Sequence, residues 1–88
     1  MSDPKRQRLP QVSTLMAAHD ALVAIRPRRD AALTVWHDYH LRSSAVYAEI
    51  AEIDRGHHHE ALYWADREKR TAEAISEEIK KGGTTRTQ

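Results

Sequence analysis

A heptad seam broken once at a glycine constrains this chain more than any other feature. From Arg28 to Asp54, the residues Ala32, Trp36, Tyr39, Ser43, Val46, Ile50 and Ile53 follow one another at steps of four and three. That spacing lines them along one side of a helix, the side offered to a neighbouring helix. A strand would need alternation of period two, which is missing. From His57 to Lys81 a second stripe runs Ala61, Ala65, Glu68, Ala72, Ile75 and Ile79, flanked by Leu62 and Trp64. Neither arm contains Gly or Pro, and good helix formers fill the second.

Asp54-Arg55-Gly56 stands between the arms. Glycine takes the left-handed conformation that ends many helices, so Gly56 is the expected C′ residue. So short a connection forces the arms to run antiparallel. Trp64 then falls near Val46 and Tyr47, Ile75 near Tyr39 and Leu33, and Glu68 near Ser43 and Arg42. A polar layer at Glu68 would set the register of the hairpin, as a polar seam position does in coiled coils. The alternative is a Glu68 turned out to solvent.

At 88 residues the chain makes one domain at most, and a lone hairpin of this size is marginal. A third helix, a second subunit, or both should share the burial. The third helix is expected upstream, opened by Pro10 at its first position or capped by Ser13. Val12, Leu15, Ala18, Leu22 and Ile25 form its stripe, with Met16, His19 and Val23 beside it. Pro27 disfavours helix at Arg26, so this helix should stop there and Pro27 should open the next. The expected fold is an all-α antiparallel three-helix bundle dominated by a long, coiled-coil-like helical hairpin. Its helices span about 10–26, 28–54 and 57–81, between a flexible basic arm (1–9) and a disordered tail (82–88) beyond a Gly82 cap.

Charge excludes little beyond the extremes. Charged residues make up 31% and the net charge is +1, a soluble helical balance with no global field toward nucleic acid. No apolar run approaches the roughly 20 residues of a membrane span, and no apolar core follows the basic N-terminus at once, so neither a membrane anchor nor a signal peptide is expected. The absence of Cys rules out disulfide and thiolate chemistry and suits a cytoplasmic setting. Asp66→Arg70, Lys69→Glu73 and Glu77→Lys81, each four apart, mark a solvated face of the last helix.

Three site readings follow. The first is an interface. A short first helix folded back at Pro27 covers only the N-terminal half of the second, which leaves the hairpin tip bare. Val46, Tyr47, Ile50, Ile53, Leu62, Tyr63 and Trp64 concentrate there, and Tyr and Trp are favoured interface anchors. A protein partner or a second copy is the expected occupant. The second reading is a nucleic-acid contact through Lys5, Arg6 and Arg8 of the arm and the cluster Arg26, Arg28, Arg29, weighed against ordinary solubility. The third is a metal or pH site. Six His are many for this length, and His19, His37 and His40 form the best geometric trio. His57, His58 and His59 are adjacent and point in different directions, so they cannot share one ion. No Glu-x-x-His repeat, glycine elbow or phosphate loop occurs, so no catalytic residue and no cofactor are expected.

Overall fold

The computed structural model describes residues 12–86, with side chains to 82. The chain is all-α. Helix α1 spans Leu15–Ala24, α2 spans Leu33–Ile53 and α3 spans His58–Arg86, with one 3-10 turn, Arg55–His57, between the last two. Long α2 and α3 pack closely as an antiparallel hairpin, and α1 lies across it.

Each boundary has a local cause. Thr14 caps α1: its Oγ1 accepts the Ala17 N–H at 3.0 Å, the bond expected of an extended N-cap residue. The cap therefore lies one residue beyond Ser13, and Pro10 lies outside the described residues. The helix ends at Ile25, whose N–H turns back on Leu22 and Val23, with Pro27 barring continuation. Proline does not open the next helix, however. Ile25–Ala32 form an eight-residue link, and α2 begins after Ala32, which makes no side-chain cap bond.

At the tip, α2 stops at Asp54 (φ −96°, ψ 76°). Gly56 does not take the left-handed conformation expected of it; no glycine among the described residues has positive φ. The reversal is made by Asp54 and the 3-10 turn instead. The Asp54 side chain accepts the His57 Nδ1–H at 2.9 Å, and His58 Nδ1–H donates to the Ala51 carbonyl at 2.7 Å, satisfying an acceptor at the end of α2. For the same reason Gly82 ends nothing: without a left-handed cap or a proline, α3 carries on to Arg86.

The hairpin is close because its seam is small. Ala51 of α2 and Ala61, Ala65 and Ala72 of α3 are buried. Ser44 Oγ–H reaches across to the Ala65 carbonyl at 2.8 Å, and buried Ser43 donates to the Tyr39 carbonyl at 2.9 Å. Glu68 does face inward, as the polar-layer reading required. Its partner is His40, whose Nδ1 lies 2.6 Å from Glu68 Oε1, rather than Ser43 or Arg42. The seam also shifts. Tyr47 and Ala51 are buried on α2, whereas Ile53, placed in the seam by spacing, is exposed.

The position of α1 departs most from expectation. It starts at the tip, where the Leu15 N–H donates to Asp54 Oδ2 at 2.9 Å. It ends level with Tyr39, whose hydroxyl donates to the Leu22 carbonyl at 2.9 Å. Five residues assigned by spacing to the start of the second helix are spent in the link, so α1 slides toward the tip and covers it. The opposite end is the open one. The Ser44–Ala65 and His40–Glu68 pairs set Leu33 beside about residue 76, and α3 runs on beyond.

Asp54 ties α1 to the turn, and the Leu15 N–H holds its carboxyl below the usual carboxylate range, with His57 assisting against burial. A depressed folded value contributes stability above the unfolded value near 3.8, lost as pH falls through the folded one. Amide exchange across Leu15–Leu22 is therefore expected to quicken below about pH 4 before that of α2 and α3 does. Asp54→Asn should weaken the dependence. Uniform loss of protection across all three helices would count against this tie.

Candidate interaction surface

The covered tip changes which residues can meet a partner. Tyr47 is 5% exposed and Ile50 1%, both enclosed by Leu15, Ala18 and Leu22 of α1. They are core residues and cannot anchor a partner while α1 is seated. Val46 and Trp64 are half-buried against the same cluster. Of the seven expected interface residues, Ile53 (48%), Leu62 (42%) and Tyr63 (54%) remain outside. The physical reason is the eight-residue link, which spacing alone did not reveal.

What α1 builds over the tip is an aromatic seam joining all three helices. The His19 Nδ1 and Tyr47 Oη share a hydrogen bond at 2.6 Å. The His19 ring meets Trp64 edge-on at 5.2 Å, and Tyr47 lies 6.1 Å from the same indole. Tyr63 stands edge-on to Trp64 at 5.4 Å, and the Arg67 guanidinium covers its face at 5.4 Å. Burial, then the charge of Glu68, pushes the Tyr47 hydroxyl up to about 12. Met16 and Val23 stand three and four residues from His19, so they share its side of α1, and both are exposed. Met16, Val23 and Tyr63 are thus exposed, and Trp64 is half-buried between His19 and Tyr63 with Arg67 over its face. Sequence spacing had already set Met16 and Val23 beside the α1 stripe, but gave no reason to leave them outside.

The metal trio is not assembled. His19 is engaged by Tyr47, His40 by Glu68, and His37 lies 3.4 Å from Asp38. Among the described residues no three His, Cys, Asp or Glu gather as metal ligands would. His37 and His40 share a helical face only loosely, and the seating of α1 at the tip draws His19 to Tyr47 instead.

The arginine cluster is likewise divided. Arg26 sits over the Trp36 ring at 5.4 Å, and Arg28 is 3.5 Å from Asp30. Arg29 is exposed, and Lys5, Arg6 and Arg8 lie outside the described residues. On the charged face of α3, Asp66 is bonded to Arg70 as spacing required, and Glu77 lies 3.7 Å from Lys80, one residue before the expected Lys81. No helix among the described residues is long and apolar enough to cross a membrane.

Fold and surface together define a small all-α protein built on a helical hairpin. Comparison with family models, with curated proteins and with solved structures finds no match.

Proposed function

We propose that this protein is a small non-enzymatic helical interaction module, self-associating or docking on a larger protein, and that it works in the cytoplasm, a compartment suited to a chain without cysteine. One observation carries the reading. Among the described residues only four large apolar side chains are buried, Leu15, Leu22, Tyr47 and Ile50, and the rest of the core is alanine. Nine large ones are exposed: Met16, Val23, Ile25, Leu33, Val35, Leu41, Ile53, Leu62 and Tyr63. Single exposed apolar residues are ordinary, but an excess of exposed over buried ones, with a weak core beneath, is what an unpaired subunit presents. Tyr63 and Trp64 are the anchors this reading favours, with Met16 and Val23 beside them.

The native mass, measured on the pure protein and in cell extract, tests it. A mass above the 10.1 kDa of one chain is expected in at least one setting. Met16→Ser with Tyr63→Ser should lower it while the helical circular dichroism is retained, because neither side chain is buried. A mass of one chain in both settings overturns the reading.

A further inference from the structure

We propose that two copies of this chain pack back to back through the hairpin face that α1 leaves open, about a twofold axis that passes beside Leu62. The inference rests on the self-association reading. It seats the second copy on a face other than those of Trp64 and α1, so the aromatic seam stays free for a larger protein.

Only one side of the hairpin lies under α1. On α2 that side holds Ile50, and on α3 it holds Trp64, which meets His19. Leu41 stands nine residues before Ile50, two and a half helical turns, so it points the opposite way. Leu62 stands two residues before Trp64 and is turned from it by about 200°. Both leucines are exposed, at 45% and 42%. Ala45 and Ala48 follow Leu41 at steps of four and three and are exposed on the same side of α2.

The charges at the edge of this face say what covers it. Arg42 and Glu49 are exposed, and seven residues, two turns, set them along one edge of the Leu41–Ala48 stripe. Among the described residues neither is bonded within the chain. A twofold interface pairs residue i with j and j with i. An antiparallel pair of α2 helices with Ala45 against Ala48 of the second copy brings Arg42 level with Glu49 of the second copy, twice. Oppositely charged flanking residues fix orientation in this way in coiled coils. The alanines let the two helices approach closely, as alanines already do between α2 and α3.

The register within the hairpin is set independently and leads to the same axis. Ser44 crosses to Ala65 and His40 to Glu68, which puts Leu62 level with about residues 46 and 47, midway between Ala45 and Ala48. Leu62 therefore falls on the axis and meets Leu62 of the second copy. One rotation satisfies the leucine, the alanines and both ion pairs together. A copy of the chain is the occupant because it carries Arg42 and Glu49 at the reciprocal spacing that this face itself sets.

Sedimentation of the pure protein from about 10 µM to 1 mM tests the proposal. A dimer is expected. Arg42→Glu and Glu49→Arg should each raise its dissociation constant about tenfold or more, since like charges then face each other twice. Helical circular dichroism should be retained, because both positions are exposed. Mixing the two variants should restore the dimer, because the first carries carboxylates at both positions and the second guanidinium groups at both. Leu62→Glu, which sets two carboxylates on the axis, should weaken it as well. Met16→Ser with Tyr63→Ser lies off this face and should spare the dimer, lowering the mass only in extract. A dimer that either charge reversal leaves intact, or a mixture that stays monomeric, overturns the pairing and leaves self-association standing. A dimer unmoved by Leu62→Glu overturns the axis. A monomer at every concentration overturns the second copy and leaves docking on a larger protein.

Discussion

Ile50→Ala is expected to lower stability by about 2–5 kcal/mol, the range for a large aliphatic side chain removed from a closed core. Ile50 is 1% exposed and, among the described residues, is the largest side chain so completely enclosed. Its neighbours explain why the upper part of the range is expected. Ala18, Ala51, Ala61 and Ala65 share its cluster, and an alanine has no side chain that can swing into a vacated space. The backbones of α2 and α3 are already held close by those alanines, so the hairpin cannot collapse further. A domain of this size has about 5–15 kcal/mol in total, so the midpoint of thermal unfolding should fall by 10 °C or more. Urea unfolding provides the measurement, with a lower midpoint and an unchanged slope. A loss below about 1 kcal/mol would mean that Ile50 is not at the centre of the core.

Alkali is expected to undo the aromatic seam between about pH 10 and 12, and Tyr47→Phe to remove much of that sensitivity. The Tyr47 hydroxyl is pushed from 10.0 up to about 12, first by burial and then by the charges of Glu68 and of ionised Tyr39. A raised folded value favours the neutral form in the folded state. Its contribution is therefore complete below pH 10, declines as pH rises, and is gone above about 12. Two pH units correspond to roughly 2.7 kcal/mol at most. Tyr39, also raised by burial, adds in the same direction. Phenylalanine keeps the ring against Trp64 but loses the bond to His19, so the variant should begin less stable near pH 7 and fall less steeply above pH 10. Parallel curves for the two proteins would exclude Tyr47 as the titrating group.

Both predictions concern residues that spacing had assigned to an exposed interface, and the reason for the difference is specific. Periodicity placed Tyr39, Ser43, Ile50, Ala61, Ala65 and Ala72 along facing stripes, and it brought Tyr47 and Trp64 together across the hairpin. It did so because helix geometry ties residue number to direction. Glu68 was legible as a carboxylate in the middle of an apolar stripe, a position that spacing left open between an inward polar layer and a turn to solvent, and packing took the first. Its histidine partner was not, because a small shift of register decides which polar neighbour a long side chain reaches. The seven tip residues were legible as apolar and clustered, but not as covered. Their exposure depends on where α1 lies, and that depends on eight residues whose own pattern reads as helix.

The chain's order of residues determined on its own that this is an all-α protein, that two long helices double back near Asp54, and that a third, shorter helix precedes them. Those outcomes follow from local spacing, from Pro27 and from the shortness of the turn. Tertiary packing alone decided that α1 seats on the tip, that Asp54 rather than Gly56 shapes the reversal, and that His19, His37 and His40 go to separate partners. The seat of α1 and the partners of His19 and His40 are choices between contacts distant in sequence. Which contact wins depends on how closely the alanine seam lets α2 and α3 approach, and a list of residues carries no direct measure of that distance.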